Sequence, residues 1–448
     1  MPGDVVIVLL FLIVLILAVI GLLIWRVSRR RAPEGSPAVP PIEVGGELPT
    51  FNIIALGGQE TGKTVLLASM FHRLTTEISD GGFRLQTSLD QAVFLTNLYL
   101  KLSDPSADWP AGTRVGETRS FTFECVGSAG GVELPVLKFN YLDYAGELVG
   151  GAPAAKATAE QREERQQDLE ERLDVAHALF GIIDGQRMLG YLRGSRAGRL
   201  YVETSIIPMI GVMRKAKCPV HFILTKWDLF DGIGESDGEL DENERLSVVR
   251  NALMAQPPIR NLVEQRRRDK RIVRLIPVTA IGRQFATMDG AGHMVKRTDG
   301  RLRPANVEVP LCAVLPDLFG QIQDQLDQSD EDQIAAQRRA RARLSPKESA
   351  AAAGKFLAGP VGLALRVAAN LAIGPNAFSD RVADVFLDWV ARPFDSKMDQ
   401  VHAVVEDARQ QLGELRLARD AVLREFTERM IVLKHQLPAS HLADAGRL

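Results

Sequence analysis

The 448-residue chain is 46% hydrophobic and 25% charged, the balance of a globular protein long enough for about two or three domains. A formal net charge of −2 lacks the concentrated basic excess that phosphate backbones demand, so no nucleic-acid partner is expected. Cys125, Cys218 and Cys312 are widely spaced and form no CxxC pair, which argues against a disulfide framework or a structural zinc site and predicts buried, inert thiols.

The first element is an apolar run from Val5 to Trp25 with one Gly and no charge. At ~1.5 Å per residue it matches the ~30 Å hydrocarbon core of a bilayer. A cleavable signal peptide would place positive charge before the run; here only Asp4 precedes it, and Arg26, Arg29, Arg30 and Arg31 follow. The run therefore predicts a permanent signal anchor with the N-terminus outside and the rest in the cytoplasm, at the inner (cytoplasmic) membrane. Residues 5–25 would contact the lipid bilayer, within an anchor covering 1–26. A Pro/Gly-rich stretch over 27–48 then reads as a flexible linker.

From Phe51 short apolar runs alternate with longer amphipathic ones. The runs Phe51–Leu56, Ser120–Val126, Val136–Leu142, Ala178–Asp184, Val220–Thr225 and Val273–Thr279 predict strands. Lys63–Leu74, Glu160–Val175, Val202–Ala216 and Arg245–Ala255 predict helices between them. This alternation implies an α/β domain over 49–328, its sheet mostly parallel and covered by helices on both faces. Ser120–Val126 and Val136–Leu142, joined by a Gly-rich turn, predict an antiparallel hairpin supplying the one antiparallel edge strand. Leu89–Leu102 is an additional amphipathic helix, equally readable as partner surface or packing.

A helix from about Leu311 to Gln328 closes the domain, and 329–448 reads as a C-terminal helical region. Val401, Val405, Ala408, Leu412, Leu415, Val422, Phe426 and Leu433 recur near a 3–4 spacing, interrupted by Arg419 and Arg429. The region can pack on itself, on the α/β domain or on a second subunit, which would make a homodimer. Arg338, Arg339, Arg341 and Arg343 read as a solvated helix face, with anionic lipid as the alternative.

Gly57-Gly58-Gln59-Glu60-Thr61-Gly62-Lys63-Thr64 follows a strand and opens a helix, the context of a phosphate-binding loop. Glycines let backbone N–H groups converge on a phosphate at a helix N-terminus, with Val65 next in that helix. Lys63 can bridge β- and γ-phosphate oxygens and the Thr64 hydroxyl can hold Mg²⁺. Asp143-Tyr144-Ala145-Gly146-Glu147 follows another strand. There Asp143 can hold Mg²⁺ through water, and the Gly146 N–H can meet the γ-phosphate. Thr225-Lys226-Trp227-Asp228 ends a further strand, where the Asp228 carboxylate can accept from guanine N1–H and N2–H, a donor pair adenine lacks. Lys226 would lie along the purine. Thr279, Ala280 and Ile281 end the next strand and can offer a backbone N–H to guanine O6.

These segments, in this order, resemble the motifs of translation-factor-related, Ras-like P-loop GTPases over residues 49–328. The resemblance implies binding of GTP and GDP with Mg²⁺, hydrolysis of GTP, and a conformational switch read by a protein effector or regulator. Lys63, Gly146 and Glu147 would serve hydrolysis. A switch threonine completing the Mg²⁺ shell is implied as well, Thr113 preferred over Thr118. Lys63–Ser69 and Pro304–Pro310 also resemble bacterial membrane-anchored double-GTPase-type proteins, which implies a conflict or stress system. The chain departs from the Ras-like pattern at Gln59, where many members carry Gly, and at Glu147, where they carry Gln; slow unaided hydrolysis is expected. A receptor or scaffold subunit that binds GTP with little turnover, and a P-loop ATPase, are the alternatives.

Overall fold

The computed structural model describes residues 48–76, 83–110, 118–129, 132–145, 159–231, 233, 240–289, 294–318 and 405–443. The apolar run 5–25 and the linker lie outside them, and among the described residues no helix is long and apolar enough to cross a membrane.

In chain order the elements are β1 (Thr50–Gly57), α1 (Lys63–Thr76), β2 (Phe83–Gln86), α2 (Leu89–Ser103), β3 (Arg119–Ala129), β4 (Val132–Ala145) and α3 (Ala159–Asp174). There follow β5 (Ala178–Ile183), α4 (Gly185–Leu192), α5 (Arg196–Tyr201), α6 (Ile207–Met213), β6 (Val220–Leu224), α7 (Glu242–Met254), α8 (Pro257–Arg268) and β7 (Val273–Pro277). A hairpin of β8 (Ala286–Met288) and β9 (Met294–Lys296), α9 (309–318), α10 (Val405–Gln436) and β10 (His441–Ala443) complete the list.

Eight strands form one sheet in the order β10-β7-β6-β5-β1-β4-β3-β2. The pairs β4–β1, β1–β5, β5–β6 and β6–β7 are parallel. β5, β6 and β7 are buried along their whole length, as parallel strands covered on both faces must be; β5 reads as an unbroken apolar run, while β6 and β7 each carry one buried polar residue, His221 and Arg274. Local signals set the helix ends. Asp241 and Glu244 form a reciprocal capping box at α7, and α8 begins with Pro and ends with Arg266, Arg267 and Arg268.

Two features differ from the sequence expectation, and a third selects among the alternatives it left open. The β3–β4 hairpin is antiparallel as expected, but β2 pairs outside it and takes the edge. The opposite edge is also antiparallel, because β10 pairs with β7; the sheet therefore carries antiparallel strands at both edges rather than one. A strand of four residues and one of three are too short to show a period-2 pattern. Third, the described part of the 329–448 region packs on the sheet itself. Ala418, Val422, Phe426, Met430 and Leu433 of α10 are buried, with Phe426 edge-on to Phe83 at 4.6 Å and stacked on Phe139 at 6.3 Å. Gly127 of β3 leaves the necessary room, since a Cβ there would lie 2.6 Å from the Ala418 carbonyl. Arg429, which interrupts the apolar spacing, pairs with Glu308 at 3.0 Å; Glu308 also meets Arg73 of α1 at 3.2 Å.

The three cysteines are free and buried. Beneath β10, Asp317 of α9 is buried against Arg274 and accepts from or pairs with His221 at 2.9 Å. Burial opposes ionisation of Asp317, but Arg274 and His221 outweigh it and hold the carboxyl well below the ordinary range. With the folded-state value depressed, the stabilisation is complete above the unfolded value of about 3.9 and is lost as pH falls through the lower folded value. Asp317→Ala strands the Arg274 charge in the interior and is expected to cost about 3–5 kcal/mol, measured by urea unfolding of the full chain in detergent.

Candidate functional site

The parallel strands β1, β4, β5, β6 and β7 end together, and the loops leaving their C-terminal ends form one cluster. In open α/β sheets this is where ligands bind. The described residues proposed from the sequence as nucleotide contacts lie in it.

The phosphate-binding loop runs from the end of β1 into α1. It turns through Glu60 at φ 62° and Gly62 at φ 86°; a side chain at position 62 would be strained. Gly57 is needed for a different reason, because a Cβ there would come within 2.9 Å of Ile182 Cβ on β5. The Thr61 hydroxyl donates to Gly58 O at 3.0 Å and closes the turn. Lys63 is buried, and its ammonium donates to Gly57 O at 2.7 Å and Gly58 O at 3.0 Å. It also lies 3.9 Å from Asp143 Oδ1. Burial lowers its pKa, and Asp143 partly restores it. An anionic phosphate oxygen is a stronger acceptor for this ammonium than either carbonyl.

Asp143 is buried near the end of β4, in register with Ala55 of β1. Thr64 stands in the first turn of α1, beside the same loop. The Thr64 hydroxyl and the Asp143 carboxylate, on either side of Lys63 in this loop cluster, are hard oxygen donors of the kind Mg²⁺ takes.

The loop after β6 is fastened to the phosphate loop. Thr225 Oγ1 donates to Thr61 O at 2.7 Å and to Ile183 O at 3.1 Å. Lys226 adopts a left-handed backbone with φ 54°, which sends its ammonium back to Glu60 O at 3.2 Å and to Asp184 Oδ1 at 3.0 Å. Trp227 anchors the far side, its indole donating to Glu242 at 2.8 Å. Asp228 then presents its carboxylate beside Thr279, whose hydroxyl donates to Asp228 Oδ1 and fixes its orientation. Thr279 in turn accepts from Gly282 N at 3.2 Å, and Ser69 of α1 donates to Ala280 O at 2.9 Å. The loops at 57–64, 225–228 and 279–282 are thus one hydrogen-bonded unit.

Comparison with known proteins adds little to this geometry. No protein-family model and no curated protein matches the chain. Among solved structures, one similar chain comes from the signal recognition particle receptor SRβ-GTP/SRX complex of Chaetomium thermophilum. It is 17% identical, the match covers 54% of this chain and 93% of that one, and the TM-score is 0.26. A likeness this weak leaves the fold resting on the sheet order and the site on its own contacts.

Of the sequence-predicted residues, the structure brings together Gly57 to Val65, Asp143, Thr225, Lys226, Asp228, Thr279, Ala280 and Ile281. Gly146, Glu147 and Thr113 lie outside the described residues; Thr118 is exposed immediately before β3. Gln59 is exposed on the phosphate loop. Sequence reasoning missed Asp184, Arg187 and Ser69. Asp184 caps α4 through Gln186 N at 2.9 Å, takes the Lys226 ammonium and is buried. Arg187 reaches Glu60 Oε2 at 3.0 Å, fastening α4 to the phosphate loop. An Asp-Gly pair directly after the apolar run Ala178–Ile183 is the signal that could have found Asp184.

Burial raises the Asp228 carboxyl above the ordinary aspartate value, with the Thr279 bond opposing. Only the carboxylate form could accept from a guanine base, the role expected of Asp228 from the sequence. Guanine-nucleotide affinity is therefore expected to weaken on acidification at a higher pH than an ordinary aspartate, about 3.9, would dictate, readable by calorimetric titration across a pH series.

Proposed function

We propose that the chain binds GTP and GDP with Mg²⁺, hydrolyses GTP to GDP and phosphate, and acts as a conformational switch for a protein partner at the cytoplasmic face of a membrane. The observation that carries the reading is the fastening of Asp228. Its neighbours Thr225 and Lys226 are bonded to the phosphate loop, and its own carboxylate is oriented by Thr279. A half-buried, oriented acceptor at that place suits guanine, whose donor pair adenine lacks.

Lys63 would hold the β- and γ-phosphates, and Thr64 with Asp143 would hold Mg²⁺, Asp143 through water. When bound, the ion supplies charge neutralisation of the bridging phosphate oxygens. Gly146 and Glu147, together with a threonine at 113 or 118, are proposed to complete the triphosphate-sensing side on the strength of the motif alone. The membrane address rests on the apolar run 5–25 and the arginines after it; a conflict or stress role rests on the double-GTPase resemblance.

A GTP-binding receptor or scaffold subunit with little intrinsic hydrolysis is the second reading, favoured by one feature. The phosphate loop carries Gln59 where many Ras-like proteins carry Gly, and Glu60 follows it, paired at the surface with Arg187. Single-turnover hydrolysis by the full chain in detergent, with and without membrane extract, separates the two. Unaided turnover on the order of 10⁻³ s⁻¹ or slower that rises with extract is expected of a switch. No turnover in either arm, with GTP still bound, selects the receptor reading.

A further inference from the structure

The β8–β9 hairpin lies within an excursion of the chain between the base-supporting loop and α9, and α2 is a second insertion, between the phosphate-loop helix and β3. The two grip each other. Trp109, in the segment that follows α2, donates its indole N–H to Met294 O at 2.7 Å. Its ring meets the buried ring of Phe285 edge-on at 6.3 Å. Lys296 lies over the same indole, 5.2 Å from its centroid, and donates to Lys101 O at 2.7 Å and Asp104 O at 2.8 Å. A lysine on the hairpin thus caps the C-terminus of α2, where the last carbonyls and the helix dipole both favour a cation.

At its other end the excursion is tied to the guanine reader. Asp228 is oriented by Thr279, which accepts from Gly282 N. Gly282 has φ 86° and sits so close to Arg303 that a Cβ would lie 2.3 Å from its carbonyl oxygen. Thr279 bridges Ala305, and Arg303 N donates to Ile281 O at 2.9 Å. Arg283 pairs with Asp231 at 2.6 Å, just beyond the Asp228 turn. Two residues after Arg283, Phe285 closes the hairpin by accepting from Arg297 N at 2.9 Å, and it is this ring that Trp109 touches.

We propose that the hairpin couples guanine recognition to residues 101–110, with Lys296 and Trp109 as positioning residues and Phe285 as the relay. The inference rests on the guanine-reading assignment of Asp228. A base that orders the 279–282 loop also orders the excursion, and through it the stretch that precedes the candidate Mg²⁺ threonine. Specificity for the base and readiness for the triphosphate are then linked.

Hydrogen exchange of the full chain in detergent, with and without GDP and Mg²⁺, tests this. GDP is expected to slow amide exchange about tenfold or more in 225–230 and 279–282, and about threefold or more in 101–110. Lys296→Met and Trp109→Phe should each keep the first protection and lose the second, while Lys296→Arg should retain part of it. Two variants of different chemistry guard against a misfolded one. Undiminished protection of 101–110 in both Lys296→Met and Trp109→Phe overturns the coupling. So does wild-type protection confined to 225–230 and 279–282, which leaves the guanine reading intact. Protection in neither region overturns the guanine reading and the coupling with it.

Discussion

Asp228→Asn is expected to weaken GTP binding about a hundredfold or more and to move the preference to xanthosine triphosphate. The wild-type carboxylate accepts from two guanine N–H groups, and an amide turns one of those acceptors into a donor facing a donor. Xanthine carries a carbonyl where guanine carries its exocyclic amine, so the same amide finds an acceptor there. The variant should keep its orientation. Thr279 donates to one carboxylate oxygen, and the asparagine carbonyl can take that bond while its nitrogen faces the base. Fluorescent-nucleotide competition with GTP and xanthosine triphosphate reads the switch. Unchanged GTP affinity would remove Asp228 from the site.

Lys63→Ala should lower triphosphate affinity about a hundredfold to a thousandfold, through loss of charge-assisted bonds to phosphate in a buried setting. A second effect accompanies it. Asp143 is 2% exposed and 3.9 Å from the lysine, so the substitution removes a cation beside a buried carboxylate. A stability loss of about 1–3 kcal/mol is expected as well. Measuring unfolding beside nucleotide titration separates the two, and Lys63→Arg, which keeps the charge, should recover more stability than affinity. Retained triphosphate affinity in Lys63→Ala would contradict the phosphate-loop assignment.

The segments proposed as phosphate loop and base reader stood out in the sequence because each is contiguous and follows a mostly apolar, buried strand. Gly57, Gly62, Lys63, Thr225, Lys226 and Asp228 needed no tertiary information to be named. What joins them was not legible. Asp184 and Arg187 act through Lys226 and Glu60, more than 40 residues away along the chain; the Asp184-Gly185 turn after β5 could mark the first, but nothing local marks Arg187. The ends of the sheet were hidden for a different reason. β2 and β10 are too short for periodicity, so the hairpin of β3 and β4 looked like the edge. The helical region beyond 329 was recognised as helical, but its apolar stripe alone could not choose between packing on itself, on the α/β domain or on a second subunit. Arg429 breaks the apolar stripe in order to reach Glu308, and α10 lies against the sheet with that ion pair under it. Phe285, Trp109 and Lys296 belong to the same class of omission: single residues whose meaning comes from what they touch.

The central claim is that one hydrogen-bonded unit holds both phosphate and guanine. Competition calorimetry on the full chain in detergent with Mg²⁺, titrating GTP, ATP and xanthosine triphosphate, tests it most directly. The account predicts a GTP preference over ATP of about a thousandfold or more. Equal affinity for GTP and ATP, or a preference for ATP, would contradict it.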